Sequence, residues 1–234
     1  MVTGTGTGVG KTVVTAAVAA LAAARGARVA VVKPAQTGVA ADEPGDLDDV
    51  RRLAGVTDLH EHARFPDPLS PAAAARRAGL PPLDLRTSER LVQELADTRD
   101  LVLVEGAGGL LVRYDDEGAT IADLARDLAA DVLVTVDPAL GTLNHTALTL
   151  EAMAHRGLRL AGLVVGAWPP GPDLACRSNV RDLETLAARP LAGALVAGAG
   201  ALDAPEFLLA ARAGLAPALG GAFDAADFRR AADH

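Results

Sequence analysis

The chain has 234 residues, half of them hydrophobic but only 3% aromatic, so its core must be built from Ala, Val and Leu, and one domain over residues 1–234 accounts for the length. A formal charge of -8 argues against nucleic acid or an anionic membrane as the main partner. One cysteine, Cys176, excludes an internal disulfide and a cysteine-built metal site; the longest apolar run, 13–24, is too short to cross a bilayer; and no basic and apolar leader opens the chain, so a reducing, cytoplasmic setting is expected.

The first motif is GTGTGVGKT at 4–12. With Gly10, Lys11 and Thr12 fixed, the Walker A pattern asks for Gly at position 5, where Thr stands, and the glycines fall instead at Gly4, Gly6 and Gly8. The physics survives the shift. Backbone N–H groups across Gly6, Thr7, Gly8, Val9 and Gly10 can turn inward on phosphate, and a helix over 12–25 adds its positive end. Lys11 reaches the β/γ oxygens, and Thr12 can place its hydroxyl on Mg²⁺. The plain alternative is a glycine turn capping that helix. Only Met1, Val2 and Thr3 precede the loop, so either the first strand is a stub or the true start lies upstream.

A strand is predicted over 28–32, followed by VVKPAQTG at 31–38. Lys33 ends that strand and faces the crevice, unless it is a solvated strand-end charge; Pro34 stiffens the exit; Thr37 offers a hydroxyl. Lys11 and Lys33 are the only lysines among 22 basic residues, and an ammonium on a thin stem fits between phosphate oxygens where a guanidinium does not. Asp46 reads as the N-cap of a helix over 47–54, or as a magnesium ligand at the crevice mouth, with Asp48 and Asp49 as first-turn dipole residues. A proline-rich excursion over 64–82 holds a short helix at 71–78, and another helix covers 87–98.

Two later strands, 101–104 and 132–136, end in a carboxylate, Glu105 and Asp137. Either could be the Walker B acid. Glycines crowd only Glu105, at Gly106, Gly108 and Gly109, so Glu105 is assigned to magnesium and Asp137 to a strand-end turn. A helix over 121–129 lies between them. A helix over 142–156 begins with Gly141, Thr142 and Asn144 as a further anion site, and its His145 reads as structural. Strands over 160–165 and, weakly, 191–196 flank a helix over 174–188; the tail after Asp203 reads as one or two Ala-rich helices broken at Pro217 and Gly220–Gly221. Alternating apolar strands and helices predict an α/β fold, a doubly wound, mainly parallel sheet with helices on both faces.

GTGTGVGKT, VVKPAQTG, the aspartate of GDLDDV, VEGAGG and GTLNH occur in this order and spacing in the dethiobiotin synthetases, and the chain resembles that family over nearly its whole length. The resemblance implies a P-loop fold, a homodimer with sites near the interface, and ATP- and Mg²⁺-dependent closure of a diamine with CO₂. On that basis Lys11 holds the β/γ-phosphates, Lys33 stabilises carbamate and transferring phosphoryl, and Thr7 and Thr37 hydrogen-bond the same oxygens. Thr12, Asp46 and Glu105 hold Mg²⁺, while Gly108 lets substrate approach. The partner's helix start (Gly141, Leu143, Asn144) takes the substrate carboxylate. Many members read adenine with an Asn where this chain has Gly166, which leaves base choice to the backbone of the loop at Ala197, Gly198 and Ala199. The rival readings are a partition- or septum-type ATPase, which carries a second lysine before the loop glycines, and a cobyrinate amidotransferase synthetase domain, which needs a glutaminase cysteine.

Overall fold

A computed structural model describes residues 1–233. The apolar runs become strands of one direction, and the amphipathic stretches between them become the crossover helices. In chain order they are β1 (Val2–Gly4), α1 (Lys11–Ala23), β2 (Val29–Thr37), α2 (Asp46–Ala54), β3 (Asp58–Phe65), α3 (Pro71–Ala78), α4 (Leu85–Ala96) and β4 (Leu101–Val104). The second half adds α5 (Ile121–Asp127), β5 (Asp131–Val136), α6 (Thr142–His155), β6 (Arg159–Trp168), α7 (Leu174–Ala187), β7 (Gly193–Val196), α8 (Ala204–Gly214) and α9 (Ala225–Ala232).

The strands form two parallel ladders, β3-β2-β4 and β1-β5-β6-β7. Among the described residues they meet at one bridge, where Val2 opposes Glu105 and the Gly106 N–H donates to the Val2 carbonyl at 3.0 Å. The combined order β3-β2-β4-β1-β5-β6-β7 reverses direction at β1. In such sheets the crevice for a ligand opens at that reversal, beyond the carboxyl ends of the strands.

Both faces are covered. On one, Val14, Leu21, Val50 and Leu53 of α1 and α2 pack with Phe207 and Ala211 of α8; on the other, Tyr114, Ile121, Met153 and Val180 close over the sheet. Helix α1 is buried almost throughout because its inner and outer turns are Ala and Val, small enough to lie between the sheet and two neighbouring helices.

Two strand expectations are corrected. β2 does not end at Lys33 but runs on through Pro34 to Thr37. Val32 accepts the Glu105 N–H from the β4 side, and β4 stops at Val104, so the N–H that Pro34 lacks would have faced a side with no strand to bond. β3 falls where no element is predicted, between the helix over 47–54 and the proline-rich excursion from 64. Its sequence DLHEHARF has no apolar run, because as an edge strand it keeps its residues half-buried and pairs its polar groups with Arg99, Arg64 and Ser88.

Candidate active site

The loop 5–10 leaves β1 and enters α1 without a side-chain cap, so the first N–H groups of the helix remain free toward the crevice. Gly8 (φ 79) and Gly10 (φ 93) hold left-handed backbone, which lets successive N–H groups turn the same way. Gly4 has no such angle; there a Cβ would lie 2.6 Å from the Val9 side chain, so the shifted glycine pattern has a packing reason. Lys11 arches over its own loop and donates to the Gly6 carbonyl at 2.9 Å. Burial depresses its pKa, and the nearby Lys33 depresses it further.

Lys33 lies on β2, 2% exposed, with its ammonium between two carboxylates. It donates to Glu105 Oε1 at 2.7 Å and forms an ion pair with Asp46. Burial alone would lower its pKa, but Glu105 and Asp46 outweigh that and raise it. For Asp46, burial opposes the charge, while Lys33 holds the carboxyl below the usual range. Glu105 is fully buried at the end of β4. Its Oε1 also accepts from the Thr12 hydroxyl at 2.9 Å, and its Oε2 is buried without a partner.

Asp46 is not an N-cap, as the sequence suggested. Gly45 takes that position, without a side-chain cap, and the Asp48 carboxylate accepts the Gly45 N–H at 2.8 Å. Asp46 is the first helical residue, and its own N–H is held at 3.0 Å by the side-chain oxygen of buried Gln36 on β2. Asp46 is thereby left free to face Lys33. Two positioning residues escaped the sequence reading: Gln36, and Tyr114, whose phenol takes the Ala107 N–H. A polar residue inside an apolar strand was the signal for Gln36; nothing local marked Tyr114.

Thr7, Gly8, Gly10, Lys11, Thr12, Lys33, Thr37, Asp46 and Gly108 line one cavity of about 700 Å³, with Glu105 behind its wall. Gly6 contributes its carbonyl to Lys11, and Val9 is buried beneath the loop. Gly166 does not face the cavity: it packs under the loop, where a Cβ would overlap the Val9 carbonyl, and a Cβ on Gly10 would come within 2.9 Å of the Gly166 carbonyl. Ala197 donates to the Trp168 carbonyl at 2.7 Å, Gly198 (φ 85) turns the chain into a short 3₁₀ helix from Ala199, and Gly200 abuts Val13 of α1. Gly141, Leu143 and Asn144 stand at the start of α6, outside this cavity. Beside them a smaller groove of about 280 Å³ runs between Gly109–Val112 and the His145–Ala152 face of α6. His145 is exposed on that groove rather than packed in the core, and Asp137 is an exposed turn residue whose carboxylate accepts the Ala139 N–H at 2.8 Å.

Among the described residues no three His, Cys, Asp or Glu side chains converge as a metal cluster. Two carboxylates and a hydroxyl of hard oxygen character are what a small divalent cation takes from protein when nucleotide phosphates and water complete its shell.

The sequence model of the AAA domain matches residues 1–197. A protein of Parafrankia sp. (strain EAN1pec), named ATP-dependent dethiobiotin synthetase BioD, is 69% identical over 230 residues, covering 98% of this chain and 97% of that one. A protein of the same name from Streptomyces avermitilis is 55% identical over 231 residues, covering 99% and 97%. Among solved structures, the ParA family ATPase from Chlorobium tepidum aligns with a TM-score of 0.53 at 14% identity, over 89% of this chain and 86% of that one. The septum site-determining protein MinD from Pyrococcus horikoshii aligns at 0.51 and 18%, over 83% and 79%. At such identities the two structures speak for the fold alone.

Proposed function

The chain belongs to the AAA-domain family and, within it, to the ATP-dependent dethiobiotin synthetases, and from that premise we propose how its residues divide the work. The reaction is ATP-dependent ring closure in biotin biosynthesis: 7,8-diaminononanoate and CO₂ become dethiobiotin, with ADP and phosphate released. One amine captures CO₂ as a carbamate. A carbamate oxygen attacks the γ-phosphorus as ADP departs, and the second amine attacks the carbonyl carbon of the anhydride, expelling phosphate. Every reactant but the amines is anionic, so positioning and charge neutralisation carry most of the acceleration.

The observation that carries the assignment of roles is the placement of both lysines of the chain on one cavity. Lys11, with the N–H groups of the loop and of α1, holds the β- and γ-phosphates. Lys33 meets the carbamate and the transferring phosphoryl. Thr7 and Thr37 reach the same oxygens from opposite walls, and Gly108 leaves room for the substrate to lie on backbone. Thr12, Asp46 and Glu105 hold Mg²⁺; the unpaired Glu105 Oε2 supports that fit, and the bound ion supplies charge neutralisation at the phosphates.

The working unit is a homodimer. The substrate's carboxylate tail goes to the start of α6 at Gly141, Leu143 and Asn144. Those residues lie outside the cavity of their own chain, so a second copy must bring them. Leu140, 88% exposed, with Leu111 and Leu148 around the adjoining groove, forms an apolar surface suited to that contact. The backbone of the 197–199 loop, next to α1, reads the nucleotide base.

The septum-type ATPase reading is not favoured, since relatives named as synthetases match nearly the whole chain at 69% and 55% identity while MinD shares 18%. The test is to incubate the protein with the diamine, bicarbonate and Mg-ATP and to look for dethiobiotin by mass spectrometry. ATP hydrolysis indifferent to the diamine would sink the reading.

A further inference from the structure

The residue proposed to meet the carbamate, Lys33, is already engaged by two carboxylates. Its ammonium is engaged by Glu105 Oε1 at 2.7 Å and by Asp46, and it is almost fully buried. Those two carboxylates are the ones proposed for the divalent cation, and the Thr12 hydroxyl is already bonded to the same Glu105 oxygen at 2.9 Å. One pocket therefore has two claimants. Of the Glu105 oxygens only Oε2 is unengaged, and a cation held there together with Asp46 and Thr12 would stand against the Lys33 ammonium as a like charge.

Charge bookkeeping points the same way. Asp46 on the cavity wall and Glu105 behind it contribute two negative charges, and Lys33 returns one. Lys11, the other lysine, is turned toward the Gly6 carbonyl. Without an added cation the site is short of positive charge where a triphosphate and a carbamate must meet. With the carboxylates taken by a divalent ion, Lys33 has no partner behind it and one direction left, into the cavity lined by Thr7, Thr37 and Gly108.

We propose that Lys33 is a placeholder for the divalent cation: its ammonium holds Asp46 and Glu105 in position in the ligand-free protein and leaves them for the cavity when the cation binds, so that the catalytic lysine is released only in a metal-loaded site. The inference rests on the magnesium reading of Thr12, Asp46 and Glu105. It adds that metal binding and the Lys33 ion pairs exclude one another. The exclusion also serves the chemistry, because an ammonium already neutralised by two carboxylates would have little to offer a carbamate.

The test measures metal affinity rather than turnover. Mn²⁺ binding is followed by electron paramagnetic resonance without nucleotide, in wild type and in Lys33→Met, which keeps the stem and removes the charge. Lys33→Met is expected to bind Mn²⁺ at least about tenfold tighter than wild type, since the two carboxylates are left without a cation. Its thermal midpoint should be lower than wild type and should rise with added Mn²⁺ far more than the wild-type midpoint does. Equal or weaker Mn²⁺ binding by a folded Lys33→Met overturns the proposal. A second measurement needs no variant: a crystal structure of the wild-type protein with Mn²⁺ and a non-hydrolysable ATP analogue. Lys33 Nζ is expected beyond ion-pair reach, about 4 Å, of both carboxylates, with the anomalous Mn²⁺ signal beside Thr12, Asp46 and Glu105. Manganese in place with Lys33 still paired overturns the placeholder role alone. Manganese bound elsewhere overturns the magnesium reading and, with it, this one.

Discussion

The phenol oxygen of Tyr114 accepts the backbone N–H of Ala107 at 2.7 Å, entirely inside the protein. Tyr114 is the chain's single tyrosine, and its ring fixes the loop that follows Glu105, the loop through which Gly108 reaches the cavity. Removing the hydroxyl leaves a buried N–H without a partner. Tyr114→Phe should cost about 1–3 kcal/mol in chemical denaturation and should lower kcat/KM for the diamine more than nucleotide affinity. An unchanged unfolding midpoint would mean the loop holds its shape without the phenol.

The same residue predicts an alkaline limit. Burial pushes the Tyr114 phenol from 10.0 up to about 12. Its folded pKa is raised, so its contribution is fully present below pH 10 and is lost as pH climbs toward 12, by up to about 3 kcal/mol. Lys33, held charged above the ordinary lysine range by Glu105 and Asp46, gives up stability in the same direction over the upper part of that window, and the comparison with Tyr114→Phe separates the phenol from it. Unfolding free energies from pH 9 to 12 should fall in wild type, and the fall should be shallower in Tyr114→Phe. Phenolate absorbance should appear with unfolding rather than before it.

Lys33→Arg keeps the charge and changes its shape. A planar fork does not fit where a compact ammonium sits between Asp46 and Glu105, so turnover should drop by about 10²–10³-fold with the circular dichroism spectrum unchanged. Wild-type turnover in this variant would reduce Lys33 to a structural charge.

Gly166→Ala puts a methyl group where the Val9 carbonyl lies. The loop must move, and nucleotide affinity measured by calorimetry should weaken about tenfold or more, with about 1–3 kcal/mol lost in stability. If affinity is unaffected, the loop has slack that its packing does not suggest.

The proposed sharing of each site between two copies makes a complementation test possible. Lys33→Ala and Asn144→Ala, each inactive as a homodimer, should recover roughly a quarter of wild-type activity when unfolded together and refolded in equal amounts, because half the dimers are mixed and each mixed dimer holds one intact site. Failure to recover activity, with mixed dimers verified by mass spectrometry, would place the α6 start outside the site of the neighbouring chain.

Where the sequence was legible, one physical signal acted alone. Apolar runs between amphipathic stretches marked β4, β5 and β6 within a residue or a few, and glycines beside a lone lysine marked the loop. Where it was misread, two signals competed. β3 hid because an edge strand has no need of an apolar run. β2 was cut short at Pro34 because proline ordinarily ends a central strand, and only the early end of β4 makes it harmless here. Asp46 was taken for a cap because Asp favours caps, while the cap position fell to Gly45 one residue earlier. Gly166 was read by what it lacks, an amide, whereas its position is explained by what a Cβ would strike. Of the two long-range partners, Gln36 shows only as a polar residue within an apolar strand, and Tyr114 leaves no local pattern at all.

The bridge at Val2 and Glu105 has a mechanical meaning. The phosphate loop hangs from the ladder of β1, while Lys33 and Glu105 belong to the side of β2 and β4, with Asp46 on α2 beside them, and among the described residues the two ladders are joined by the Val2–Glu105 bridge. With the roles proposed above, a nucleotide gripped by the loop and, through its metal, by the carboxylates would span that joint. In that arrangement the substrates would also act as a temporary cross-link between the two halves of the molecule, and amide hydrogens along β1 and β4 should exchange more slowly while they are bound and faster each time a product leaves.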